Sequence, residues 1–233
     1  MRIFIKMFLI IISGGILISC QSESERGTRS MANNSLSQEL LSIQNKRIFF
    51  GHQSVGSNIL EGLKEIISEN DKINIRLESA DTLLPDSISF FIDAKIGRNT
   101  DPVSKCIAFE EQIEKLKGNI DIALMKFCYV DITSESNIDS VFNKYQSTIQ
   151  SLKTKYPKII FVHVTIPLTS RAGGVKQFVK SVLGYFSKND IDNLKRNNFN
   201  AILIEKFKNE PILDLAGIES TYPDGKRESF EYE

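Results

Sequence analysis

The chain has 233 residues, 41% of them hydrophobic and 25% charged, which is ordinary globular composition at a length that suits one domain with a sizeable core. Lys plus Arg and Asp plus Glu both number 29, so no broad basic field argues for nucleic acid and no acidic tract argues for a tail. There is no Trp, which weakens the case for a sugar-stacking platform, although six Tyr and fifteen Phe could supply one.

Arg2 and Lys6 flank the start of an apolar segment, Met7 to Ile18. It is too short for a comfortable membrane-spanning helix and reads as a signal peptide. It ends in Leu17-Ile18-Ser19-Cys20, which resembles the bacterial lipoprotein signal, where the Cys is lipidated and becomes the first mature residue. The alternatives are an uncleaved anchor or a cleaved signal with an incidental Cys. The chain thus divides into a signal peptide at 1–19, a Ser-, Glu-, Asn- and Arg-containing flexible tether at 20–37, and a folded domain at 38–233. Several acyl chains on Cys20 would hold the protein to a membrane. No Asp follows Cys20, so the expected location is the cell envelope, lipid-anchored at the outer membrane.

Leu40 to Ile43 reads as a lead-in helix, Arg47–Phe50 as the first strand and Val55 to Glu69 as an amphipathic helix carrying Ile59, Leu60, Leu63, Ile66 and Ile67. Lys72 to Glu78 alternates polar and apolar, as an edge strand should. Ser79 to Pro102 reads as one long irregular loop, functional or mobile. Thr100-Asp101-Pro102 then looks like a helix start, with Val103, Ile107, Phe109, Ile113 and Leu116 on the apolar face and a stop near Gly118. Asp121 to Asp131 is nearly continuously apolar, as in a central parallel strand. Lys126 interrupts it and is expected at the strand's end, facing a cleft, because a buried ammonium is costly. A helix over Ile138 to Lys155, a buried strand over Lys158 to Pro167, an irregular stretch to Phe186 with Gly173-Gly174 as a hinge, a helix over Asp190 to Lys208 and a short strand at Pro211 to Leu215 complete the chain. Strands alternating with helices predict an α/β sandwich with a mainly parallel sheet. Cys106 and Cys128 fit no metal spacing and read as two buried free thiols, with a disulfide between them, which an oxidising envelope would allow, as the alternative.

The chemistry concentrates at Phe50-Gly51-His52-Gln53-Ser54-Val55-Gly56. Strand, tight turn and helix present a serine hydroxyl at the carboxyl end of a parallel strand, where a helix N-terminus favours developing negative charge. Ser54 is the candidate nucleophile; the bland alternative is that Ser54 or Ser57 caps the helix. His52 is a candidate base two residues away, with a loop-ordering hydrogen bond as its alternative. Lys126 is a second candidate base if burial lowers its pKa, against a salt bridge to Asp131 or Glu219. Arg171 and Arg98 could contact an anionic group, and His163 reads as a satisfied core histidine.

The turn also resembles the first block of the SGNH/GDSL-like hydrolases, in a divergent branch with Gly-His-Gln-Ser in place of Gly-Asp-Ser. Ile96-Gly97-Arg98-Asn99 with Asp101-Pro102, Met125 to Asp131, His163 to Thr169, Arg196 to Asn200, and Asp214-Leu215-Ala216 with Ile218-Glu219-Ser220 are similar to later segments of that branch. The resemblance spans about 45 to 225. It implies a three-layer α/β/α fold of flavodoxin-like type and hydrolysis of esters, often on acylated carbohydrate, by Ser54. Ser54 N–H, Gly97 N–H and a side-chain donor would form the oxyanion hole, and no metal or organic cofactor would be needed. Two departures stand out. The strand end at Phe127 to Asp131 carries no Asn, for which Asn99 could substitute, and no His follows His163, so the family's Asp-x-x-His is absent from this chain. That leaves a degenerate, non-catalytic module binding glycans through the same cleft as the alternative, or a domain lacking its C-terminal end.

Overall fold

The computed structural model describes residues 38, 40–79, 89–170, 188–221 and 225–226. Cys20 and the signal and tether around it, Arg171 and the Gly173-Gly174 pair lie outside the described residues. After a helical lead-in at 40–43, the elements run β1 (Arg47–His52), α1 (Ser54–Ser68), β2 (Leu77–Ser79), β3 (Phe90–Lys95), α2 (Pro102–Lys115), β4 (Ile122–Met125), a 3₁₀ turn (Tyr129–Asp131), α3 (Ile138–Lys155), β5 (Ile160–Val164), α4 (Lys188–Lys206), β6 (Ile212–Leu213) and α5 (Leu215–Glu219).

The six strands form one sheet in the order β2-β3-β1-β4-β5-β6, and every pairing is parallel. Alternation along the strands separates two cores. Phe49, Phe90, Ile92, Ala123, Met125 and Phe161 join a core with Phe109 and Ile113 of α2, Phe142 and Tyr145 of α3, and Phe199 and Leu203 of α4. Their neighbours in sequence, Ile48, Phe50, Phe91, Ile122, Leu124 and Val162, join the other, with Ile59, Leu63 and Ile66 of α1, Leu215 of α5 and Leu40 of the lead-in. Helical layers on both faces of a parallel sheet make the expected three-layer α/β/α architecture.

Several boundaries move. The expected long loop from Ser79 contains a strand, β3, paired along its whole length with β1 from Arg47↔Phe90 to His52↔Lys95. Its apolar half, Phe90-Phe91-Ile92, is followed by Asp93, Ala94 and Lys95, too short a run to announce a strand by periodicity alone. The expected edge strand at Lys72 to Glu78 shrinks to Leu77–Ser79. The long strand expected over Asp121 to Asp131 ends at Met125; the chain then leaves the sheet, and Asp131 closes a 3₁₀ turn instead of a strand. On α2 the apolar face is rotated. Val103 and Ile107 are 41% and 44% exposed, while Lys105, Cys106, Phe109 and Ile113 are buried. The start of α2 is as expected, with Pro102 in the first turn and Asp101 Oδ1 accepting from Ser104 N at 3.0 Å.

β1 lies between β3 and β4, so the chain crosses over to opposite sides on leaving it. Such a switch point opens a crevice beyond the carboxyl ends of the strands. Polar side chains of α4 close the neighbouring rim. Arg196 donates from Nε to Tyr129 O (2.8 Å) and Ile132 O (3.1 Å) and from an Nη to Thr169 Oγ1 (3.0 Å). Asn200 takes the place of a strand partner, accepting from Ile166 N at 2.7 Å and donating to Ile166 O at 2.9 Å. Cys106 and Cys128 are both buried and free, and burial pushes the Cys106 thiol up to about 12. His163 is buried with Tyr145 OH at 2.7 Å from Nδ1 and Glu210 Oε2 at 2.8 Å from Nε2, a satisfied core histidine whose pKa burial lowers.

Asn200→Ala strips partners from two buried main-chain groups of Ile166. The expected outcome is a loss of about 2–6 kcal/mol, at ~1–3 kcal/mol per orphaned group, read as a lower urea midpoint with an unchanged m-value. A midpoint at the native value would contradict the role given to this side chain.

Candidate active site

Gln53 is the last residue before α1, in extended conformation, and its side chain does not cap the helix. Instead its Nε2 donates to Ile96 O (3.0 Å) and Gly97 O (2.9 Å), tying the β1–α1 turn to the loop after β3. Ser54 is the first residue of α1 and is exposed. Among the described residues its hydroxyl has no hydrogen-bond partner, so it stands at an uncapped N-terminus, where the helix dipole favours negative charge.

His52 is almost fully buried beneath this turn. Its ring stacks on Phe50 with centroids 4.8 Å apart. Nδ1 faces Gln53 O and Nε2 faces Asp93 Oδ2, each at 3.0 Å. Both ring nitrogens are thus engaged by acceptors within the protein, and neither is hydrogen-bonded to Ser54. Gly56 lets the helix sit flush on this ring, since a Cβ there would lie 2.3 Å from His52 Cγ.

The loop after β3 is shaped for close approach. Gly97 has φ of +55°, and a Cβ on it would come within 2.6 Å of Lys105 N, so no other residue fits without displacement. Gly97 N–H and Asn99 Nδ2 have no partner among the described residues. Thr100 also has a positive φ, +68°, which is strained for a β-branched residue. It is held by Asp131 Oδ1, which accepts from Thr100 N at 2.9 Å.

Asp131 is a hub. Besides Thr100 N, its carboxylate accepts from Cys128 N at 2.6 Å and from Lys105 Nζ at 2.5 Å. Lys105 and Asp131 side chains are both fully buried, and Lys105 Nζ also donates to Asn99 Oδ1 at 3.1 Å. The Asp131 ion pair, weighed for Lys126 as one alternative to a base, is made by Lys105, which sequence reasoning passed over. A signal was present, because Lys105, Phe109 and Ile113 recur every four residues on one helix row, but a lysine in that row reads as a surface residue.

Lys126 is fully buried, not at an open strand end. Its backbone extends the ladder, donating to Gly51 O at 2.9 Å. Its ammonium donates to Phe127 O at 3.1 Å and lies 3.7 Å from Cys128 Sγ. It shares strand parity with Ile122 and Leu124, which places it on the face covered by α1 and α5. Burial lowers its pKa from the usual lysine value; the charge of Lys105 adds to this, and Cys128, Asp131 and Glu219 oppose it. Beyond β5 and β6, Thr165 Oγ1 donates to Asp214 Oδ1 at 3.0 Å and accepts from Ala216 N at 2.9 Å, while Asp214 caps α5. Thr165 and Asp214 are therefore joined to each other at the rim. No group of three or more His, Cys, Asp or Glu side chains placed to hold a metal occurs among the described residues, and no described helix is long and apolar enough to cross a membrane.

Asp131→Ala leaves the Lys105 ammonium buried and unpaired, and is expected to cost about 3–5 kcal/mol. The double replacement Lys105→Met/Asp131→Ala removes the unpaired ammonium and is expected to recover the part of that loss due to its charge, but not the part due to Thr100 N and Cys128 N, which still lack an acceptor. Chemical denaturation of both variants checks this; a double variant no more stable than the single one would contradict it.

No protein-family model matches the chain, and no curated protein matches it. Among solved structures it is similar to a protein from Streptococcus pneumonia provisionally described as a platelet activating factor, at 16% identity and a TM-score of 0.43, over 88% of this chain and 87% of that one. This likeness is one of overall chain path and carries no assignment of family or chemistry.

Proposed function

We propose that the domain is a serine-dependent esterase of SGNH/GDSL-like type, acting on acyl esters such as acylated carbohydrate, with Ser54 as nucleophile. The observation that carries this reading is the Ser54 hydroxyl, without a hydrogen-bond partner among the described residues, at an uncapped helix N-terminus, tied through Gln53 to a loop offering Gly97 N–H and Asn99 Nδ2. Backbone and side-chain donors of this kind stabilise an oxyanion more than a ground-state carbonyl. Lys126 serves as the base. Both candidates are engaged elsewhere in this structure, His52 through both ring nitrogens and Lys126 through Phe127 O. Lys126 is preferred because burial pushes it toward its neutral form, and its side chain must turn from Phe127 O to reach Ser54.

In this mechanism neutral Lys126 takes the proton of the Ser54 hydroxyl as Oγ attacks the ester carbonyl carbon. The tetrahedral oxyanion collapses, the bond to the alkoxy oxygen breaks, and the leaving alcohol takes the proton from Lys126. Water then hydrolyses the acyl-Ser54 ester with Lys126 acting again as base. Splitting the reaction this way replaces one difficult step by two easier ones, and no metal or organic cofactor takes part.

One observation favours a second reading. Since no described side chain is hydrogen-bonded to Ser54 Oγ, the same rim could bind acylated glycan without turning it over. In either case the apolar leader and Cys20 support an envelope lipoprotein anchored at the outer membrane.

Labelling the detergent-solubilised chain with a fluorophosphonate separates the two. The account expects labelling that is abolished in Ser54→Ala, which removes the oxygen that the phosphorus would join. It also expects a rate that climbs with pH to a plateau below the ordinary lysine range, and a flattened pH profile in Lys126→Met. A folded native protein that stays unlabelled leaves the binding module. For the anchor, Cys20→Ala is expected to move the protein from the detergent-rich to the aqueous phase on partitioning; an unchanged distribution would contradict lipidation there.

A further inference from the structure

We infer that Lys105 is a positioning residue, which aims the Asn99 amide so that its N–H group, and not its carbonyl, faces the substrate. The inference rests on the esterase reading of Ser54 and concerns how its oxyanion donor is set.

A side-chain amide has one end that donates and one that accepts, and an exposed asparagine can turn either outward. Lys105 removes the choice. An ammonium only donates, so the atom of Asn99 that faces Lys105 Nζ at 3.1 Å is Oδ1. Nδ2 is then the end of the amide left without a partner among the described residues, as is Gly97 N–H, and Asn99 is exposed. Lys105 is itself fixed, because its Nζ is bound to Asp131 and its side chain is wholly buried. Asp131 also grips the next residue, accepting from Thr100 N at its strained φ of +68°. The loop tip is thus pinned at two successive residues, by Lys105 at Asn99 and by Asp131 at Thr100.

Asp131 holds the loop through Thr100 N and Cys128 N, but stability alone does not require that its ionic partner also reach Asn99. A buried ion pair is often no more stabilising than apolar side chains of similar volume. A lysine on the inner row of α2 acquires a reason if its charge orients something, and the group it orients is a donor two residues beyond Gly97. Preorganising such a donor means that it need not reorient as charge develops in the transition state.

The test uses fluorophosphonate labelling of the full chain, with the second-order rate followed for native protein, Asn99→Ala, Lys105→Met and the double variant. Asn99→Ala is expected to lose about 10²-fold, and Lys105→Met at least about 10-fold, a fraction of that effect. The double variant is expected to match Asn99→Ala, because Lys105 acts only through Asn99. The losses should hold at every pH, since a misdirected donor lowers the rate whatever the state of the base. A folded Lys105→Met labelled at the native rate, or losses that multiply in the double variant, would overturn the inference. If Lys105→Met does not fold, Lys105→Met/Asp131→Asn takes its place, which removes both charges and keeps a side-chain oxygen to accept from Thr100 N. If native protein is not labelled at all, the esterase reading fails, and positioning is judged by NMR on the Asn99 side-chain amide pair, identified by its loss in Asn99→Ala. That pair is expected to shift and sharpen toward free rotation in the Lys105 variant, and an unchanged pair overturns the inference.

Discussion

A single buried carboxylate holds the rim of this sheet together. Asp131 accepts from Cys128 N, Thr100 N and Lys105 Nζ, joining the exit from β4 to the loop after β3 and to the second turn of α2. A carboxylate without partners in that position would be prohibitively costly. With three donors converging on it, it fixes the loop on one side of the switch point while the Gln53 amide fixes the other. The crevice predicted by strand order is thereby given walls of defined shape.

The two faces of the sheet divide the chemistry. On the face covered by α1, buried His52 pairs with half-buried Asp93 under the serine turn, and Lys126 follows the same strand parity. On the face covered by α2, Lys105 and Asp131 lie below Asn99. Ser54 stands where the layers meet, on the N-terminus of α1. Among the described buried cations, Lys105 and Arg196 have carboxylate partners, whereas the Lys126 ammonium donates to a carbonyl oxygen and lies near a sulfur. Burial disfavours its charged form, against the pull of Cys128, Asp131 and Glu219.

Much of this was legible in the sequence. The strand–turn–helix at 47–68, the parallel α/β class, the cap at Asp101 and the buried thiols follow from periodicity, turn chemistry and apolar runs. What was not legible depends on long-range pairing. β3 carries only three successive large apolar residues and becomes a strand because β1 offers a full row of partners. Lys105 and Lys126 look like surface or cleft-edge lysines until Asp131, 26 residues from Lys105 in the chain, is brought beside the first and not the second. Arg196 and Asn200, which could pass for binding residues, are fastened to the backbone of the chain itself. Local pattern specifies elements, whereas the pairing of buried charges is decided by which loops the topology brings together.

The central claim is that Ser54 is an activated nucleophile. The most direct measurement is to quench the protein during turnover of an activated acyl ester and locate the adduct by peptide mass spectrometry. The account predicts an acyl group on Ser54 that builds up within the first turnover and decays once the ester is removed. Acylation confined to surface lysines, with Ser54 unmodified in folded protein, would contradict it.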